Sequence, residues 1–152
     1  MKTRVPPPLI DGLALLAIFL LWRFAPGLQL DIPLAFALAL GGGFIVVGLV
    51  IVLIAIGLFK NKETTILPFK PEKSSALVRD GIYRITRNPM YLGMGLVVLG
   101  ATFIARQPLG VIALLAACAY LTKFQIKPEE QALEGIFGQE YLDYKARVRR
   151  WI

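Results

Sequence analysis

Residues 34–59 read LAFALALGGGFIVVGLVIVLIAIGLF, 26 positions without one charged side chain. A hydrocarbon layer about 30 Å thick is crossed by about 20 apolar helical residues, so this stretch is long enough to span a bilayer. Leu9 to Phe24 is another apolar run, shorter and carrying Asp11 near its start. Pro89 to Ala105 and Leu109 to Ile126 form a third and a fourth, divided by Arg106-Gln107-Pro108. The chain is therefore read as one all-α integral membrane domain over residues 1–152, with about four spans at 9–24, 34–59, 89–105 and 109–126. A polar loop, 60–88, joins the second span to the third, and a helical tail, 127–152, follows the fourth. The third run is short for a full crossing, which leaves tilt, local thinning or a partly buried hairpin open.

Composition agrees with that reading. Of the 152 residues, 57% are hydrophobic, above the roughly 45–50% usual in soluble domains, and the excess is gathered into runs. Lys2 and Arg4 ahead of an apolar stretch resemble a signal peptide, but no small-x-small cleavage site precedes Trp22-Arg23-Phe24, so an uncleaved first span is expected. The single Cys118 excludes an intrachain disulfide, and with no histidine a zinc or haem site is not expected.

The net charge of +7 is distributed unevenly. With four spans, the N-terminus, the loop 60–88 and the stretch from Lys123 onward share one side and hold 2, 7 and 6 of the 17 basic residues. Arg23 and Arg106 are left for the other side. Cytoplasmic segments carry the Lys and Arg excess, so both termini are expected in the cytoplasm. The surplus suits orientation and contact with anionic membrane lipid. No recognition module for nucleic acid accompanies it.

Punctuation marks the joints. Pro6-Pro7-Pro8 is a stiff lead-in to the first helix, and Pro26-Gly27 with Asp31-Ile32-Pro33 marks a short connection. Gly41-Gly42-Gly43, Gly48 and Gly57 inside the second span fit close helix packing or, alternatively, room for a lipid chain. The loop 60–88 exceeds the length of mere linkage, and its apolar patches Ile66-Leu67-Pro68-Phe69 and Ala76-Leu77-Val78 suggest that it folds onto the membrane face. Pro128 suits a helix start, with Glu129 and Glu130 in the first turn, where the helix dipole favours acids. Leu133, Ile136 and Phe137 make one apolar face, and Gly138 is a natural stop. A second short helix through Tyr141, Tyr144 and Val148 ends in Arg147, Arg149, Arg150 and Trp151, an interfacial anchor pattern.

Asn88-Pro89 reads as a cap followed by a proline at the first helical position. A cap alone does not explain why Tyr83, Arg87 and Tyr91 crowd the same place. A helix N-terminus with a guanidinium and two phenols forms a polar pocket suited to an anion, such as the carboxylate of an amino-acid cofactor. Arg87 could equally snorkel toward lipid headgroups. Glu129-Glu130, emerging from the fourth span on the same side as Asn88, reads either as a solvated helix start or as carboxylates for a hydroxyl, an amine or a sulfonium.

The segment Leu77 to Gly93, containing Arg87-Asn88-Pro89-Met90-Tyr91-Leu92-Gly93, followed by Glu129-Glu130 and Phe137-Gly138-Gln139-Glu140-Tyr141, resembles the signature of the isoprenylcysteine carboxyl methyltransferase and phospholipid methyltransferase family. The likeness covers roughly residues 64–150. It implies an S-adenosylmethionine-dependent methyltransferase whose lipophilic substrate enters from the bilayer, with the helical tail completing the cofactor pocket. By that likeness Ser75, Ala76, Leu77, Val78, Tyr83, Asn88, Pro89, Met90, Tyr91 and Glu129 line the cofactor site, and Arg87 and Gln125 face the substrate.

The sequence departs from the prenylcysteine enzymes at two places. Asn88 stands where they have a histidine, and Gln125 where they have an arginine one helical turn before the first glutamate. Asparagine still donates and accepts a hydrogen bond, so these departures bear on carboxylate methylation more than on methyl transfer. The glycine-rich loop of soluble nucleotide-binding methyltransferases is absent. An NADPH-dependent enzyme like the sterol reductases and a non-catalytic membrane scaffold are the competing readings.

Overall fold

The computed structural model describes residues 5–61 and 76–152. Ser75 and the Ile66–Phe69 patch lie outside the described residues. Those described are helical with no strand among them: α1 (Pro7–Phe24), α2 (Leu34–Asn61), α3 (Pro89–Ile104), α4 (Gly110–Leu121), a π-turn (Thr122–Ile126), α5 (Lys127–Phe137) and α6 (Gln139–Arg147). The segments Pro26–Leu28 and Gly81–Arg84 are 3-10 turns.

Proline sets the beginnings. Pro6 is extended and Pro7 opens α1, while Pro89 opens α3. The face of α1 formed by Pro7, Asp11, Ala14 and Ile18 is buried. Ala14 and Ile18 pack with Val98 of α3 and Ala117 of α4 in one apolar cluster. At the end of α1, Gln107 is fully buried and its Nε2 donates to the carbonyls of Leu21 and Ala25, both at 3.0 Å. It thus satisfies acceptors that a helix end leaves open.

The most extensive helix contact joins α2 to α3. It is made by glycines: a Cβ added to Gly48 would come 2.5 Å from the Gly93 carbonyl oxygen, and one on Gly41 would come 2.6 Å from that of Gly100. Lipid is as apolar as a leucine face, so helices associate through such close backbone approach. Gly42, Gly43 and Gly57 instead meet open space.

Among the described residues, three helical stretches are long and apolar enough to cross a membrane: Pro7–Phe24, Leu34–Lys60 and Gly110–Phe137. The third expected span, α3, has 16 residues, about 24 Å at 1.5 Å per residue, and so falls short of a 30 Å layer.

The tail helix α5 opens at Lys127 with Pro128, Glu129 and Glu130 in its first turn, as expected, but it is not separate from α4. The chain passes from α4 through the π-turn into α5 as one continuous rod, with no break at Pro128. The wider π-turn loosens the ladder just before the proline, where a missing N–H and a bulky ring would otherwise kink the helix. Gly138 does end α5, at φ 52°. Leu133 and Phe137 pack against the buried Tyr141, Tyr144 and Val148, whereas Ile136 is exposed rather than part of that face.

Candidate functional site

The signature segments meet at the end of the bundle where α1 and α3 begin and the α4–α5 rod emerges. Tyr91, Leu121 and Ile126 form a buried cluster there, with Ile10, Met94 and Trp151 packed against it. An extra residue in the π-turn rotates everything downstream by about 100° relative to an unbroken α-helix. Gln125 and Ile126 of that turn are buried, and Glu129 and Glu130 follow within one turn.

The two acids take different partners. Tyr91 Oη donates to Glu129 Oε2 at 3.2 Å, and Gln125 interacts with both side chains. Glu129 is half-buried. Glu130 is buried and receives a two-pronged contact from Arg150, Nε to Oε1 at 2.9 Å and Nη2 to Oε2 at 2.8 Å. Arg87 Nη2 adds a third contact to Oε1 at 3.2 Å. The Arg87 side chain is 8% exposed, so it does not snorkel. The Tyr141 phenol stands beside the Arg87 charge. Even so, Arg87 Nε and Nη1 have no hydrogen-bond partner among the described residues.

The last residues are laid across the start of α3. Thr86 and Arg149 form a parallel bridge, with Arg87 N–H donating to the Arg149 carbonyl at 3.0 Å. The Arg150 carbonyl accepts from Asn88 Nδ2 at 2.9 Å and Thr86 Oγ1 at 3.2 Å. Trp151 Nε1 donates to Thr122 Oγ1 at 3.3 Å. Asn88 does hold the N-cap position, but its side chain makes no capping bond. The expected interfacial anchor is also revised, because Arg150 and Trp151 turn inward to Glu130 and to the Tyr91 cluster.

Burial pushes the phenols of Tyr83, Tyr141 and Tyr144 far above their ordinary range, with nearby Glu129 adding to the effect at Tyr83. These hydroxyls are therefore neutral donors. One is used structurally, Tyr144 Oη donating to the Tyr83 carbonyl at 2.7 Å.

Of the residues expected in the site, Arg87, Asn88, Tyr91, Gln125 and Glu129 come together. Val78 and Met90 instead pack around Ala55, where the Tyr83 ring also meets Phe59 edge-on at 5.5 Å. Leu77 joins the tail cluster, Pro89 is buried and Ala76 is half-buried. The sequence reading missed Thr86 and the inward role of Arg150 and Trp151. Glu130 followed by Arg150 was the available signal, since a buried acid requires a cation.

The family model for phospholipid methyltransferase matches residues 36–140. The chain belongs to the phospholipid methyltransferase family. It is 30% identical over 83 residues to a protein-S-isoprenylcysteine O-methyltransferase of Saccharomyces cerevisiae, covering 55% of this chain and 35% of that protein. It is 29% identical over 85 residues to protein-S-isoprenylcysteine O-methyltransferase B of Arabidopsis thaliana, covering 56% of this chain and 43% of the relative. An uncharacterized protein of Haemophilus influenzae is 38% identical over 63 residues, its whole length and 41% of this chain. The chain thus spans less than half the length of the two named methyltransferases. The tail contacts of Arg149, Arg150 and Trp151 fall beyond the matched segment.

The donor set suits the cofactor that the family implies. S-adenosylmethionine carries a carboxylate, an ammonium and ribose hydroxyls. The unpartnered Arg87 N–H groups suit an anion, and the half-buried Glu129 suits a hydroxyl or an ammonium.

Proposed function

We propose that this protein is a multi-pass membrane enzyme that methylates a lipophilic, isoprenoid or lipid-like acceptor entering from the bilayer, with S-adenosylmethionine as donor. The observation that carries the reading is the hydrogen bond between Tyr91 and Glu129, which ties the first signature segment to the second at one end of the bundle. Glu129 would hold a ribose hydroxyl or the amino group, with Tyr91 and Gln125 fixing its carboxylate. Arg87, already anchored by Glu130, would present its remaining N–H groups to a carboxylate or to the acceptor's polar end.

When bound, the cofactor supplies an electrophilic methyl group on a sulfonium whose departure leaves a neutral thioether. Such a displacement needs alignment and a dry site more than acid–base groups. The buried phenols and the guanidinium are donors that orient, and the apolar helices α1, α3 and α4 limit water. The proposed topology embeds all four apolar helices, the short α3 included, and puts both termini with the Glu129 end in the cytoplasm. The skewed distribution of basic residues supports that orientation.

The test is ligand-dependent stabilisation of the purified protein, followed by mass spectrometry of lipid extracts incubated with labelled methyl donor. S-adenosylhomocysteine is expected to raise the melting temperature, and label is expected in a lipid-soluble product. Stabilisation by NADPH instead would assign a reductase. Response to neither, with no labelled product, would leave a scaffold.

A further inference from the structure

At the end of the bundle away from Glu129, α1 and α2 both pack on α3 but scarcely on each other. The space between them is a cleft of ≈ 400 Å³. Phe19 and Trp22 of α1 form one wall, Leu34 and Ile45 of α2 the other, and Ala101 of α3 with Ala105, just past its end, belongs to the floor. Its lining is predominantly apolar.

Arg106 follows the floor residue Ala105 directly. Its φ of 54° is left-handed, an uncommon backbone for a residue with a side chain. The turn is fixed by the Leu30 N–H, which donates to the Arg106 carbonyl at 2.8 Å. The guanidinium makes two long contacts, to the Ile32 carbonyl and to Gln29 Oε1, each at 3.4 Å. Arg23, next to the wall residue Trp22, is the other basic residue described at this end, and the exposed Asp31 is the acid there. A left-handed turn normally selects glycine, and here it carries a cation one residue beyond the floor of an apolar cleft.

In a hydrocarbon layer an empty cleft forfeits dispersion contacts along its lining, so a chain of matching chemistry fills it. A guanidinium with spare donors suits a phosphate oxygen pair. We propose that the cleft is a phospholipid site: one acyl chain lies between α1 and α2 on the alanine floor, and its phosphate sits on Arg106. The site belongs to the leaflet opposite Glu129 and is independent of the methyl-transfer reading.

The experiment uses the full chain in detergent, with native mass spectrometry to count retained lipid and a melting curve after addition of dioleoylphosphatidylglycerol, dioleoylglycerol or oleate. The phospholipid is expected to raise the melting temperature and to be retained one per chain, with dioleoylglycerol and oleate much weaker. Arg106→Gly suits the left-handed backbone, so it removes the cation without straining the turn. It is expected to cut phospholipid affinity about tenfold or more, the scale of a lost charge-assisted contact, while melting normally in detergent alone. Ala101→Leu, which raises the floor, is expected to reduce retention as well. Equal stabilisation by dioleoylglycerol or oleate, or undiminished phospholipid retention by Arg106→Gly, would overturn the proposal.

Discussion

Tyr91 and Glu129 stand 38 positions apart, yet the Tyr91 hydroxyl donates to Glu129 Oε2 at 3.2 Å. The hairpin of α3 and α4 brings them together, and Gln125 sits beside both within the π-turn. Glu129 is thus held by two neutral groups, unlike Glu130, which is held by two guanidinium groups.

Glu129→Gln is therefore expected to weaken S-adenosylhomocysteine binding and to leave the protein folded. Loss of a charge-assisted hydrogen bond costs about 1.5–3 kcal/mol, roughly ten- to a hundredfold in affinity. The amide oxygen still accepts from Tyr91, so packing is preserved. Calorimetry showing unchanged affinity would remove Glu129 from the site.

Glu130 is expected to behave in the opposite manner. The Arg87 and Glu130 side chains are 8% and 7% exposed, so removing the acid strands a buried guanidinium. Breaking a buried pair costs about 3–5 kcal/mol. Arg150, at 30% exposed, can turn to water, which puts Glu130→Ala near the low end of that range. The melting temperature of Glu130→Ala should fall clearly, and Arg87→Leu in the same chain should restore part of the loss. A parent-like melt of Glu130→Ala alone would contradict the buried-pair account.

The apolar helices were legible because hydropathy over long runs is a strong signal. Leu34 to Phe59 carries no charge, and the α2 helix found there ends within two residues of the reading. The continuous passage from α4 into α5 was not legible, because a π-turn has no marker in composition and only the ladder geometry shows it. Tyr91, Gln125 and Glu129 were legible through family likeness together with helical spacing. The tail was misjudged for a physical reason: Arg150 and Trp151 fit an interfacial anchor and an inward clasp equally well. Only the docking of residue 150 on Thr86 and Asn88, more than 60 positions away, separates the two. Val78 and Met90 were placed in the site by likeness, while their side chains fill the core around Ala55.

The glycine seam between α2 and α3 makes a paired prediction. A Cβ on Gly93 would lie 2.5 Å from the Gly48 carbonyl oxygen and 2.7 Å from Val52 Cγ2, so Gly93→Ala forces the helices apart. Overpacking of this kind costs about 1–3 kcal/mol. Gly42 lies on the same helix as Gly48 but faces open space. Gly42→Ala is expected to be neutral or to stabilise by roughly 0.5–1 kcal/mol through helix propensity. Gly93→Ala should lower the melting temperature, and Gly42→Ala should not. Equal tolerance at both positions would refute the seam.

Asn88 offers the sharpest separation of roles. As a helix cap it would need only an acceptor, a task aspartate performs as well as asparagine. In the structure the side chain donates instead, Nδ2 to the Arg150 carbonyl at 2.9 Å, and makes no capping bond. Aspartate cannot donate there, and its charge would face the carbonyl oxygen. Asn88→Ala and Asn88→Asp are thus both expected to loosen the tail, each losing about 0.5–1.5 kcal/mol for the missing bond, with the aspartate at least as harmful as the alanine. Limited proteolysis after Lys145 or Arg147 reads the tail directly. Methyl-transfer assays should show both variants impaired, because the same tail carries Arg150 to Glu130 and Trp151 to the Tyr91 cluster. If Asn88→Asp resists the protease and melts like the parent while Asn88→Ala does not, the residue acts as a cap and the clasp is wrong.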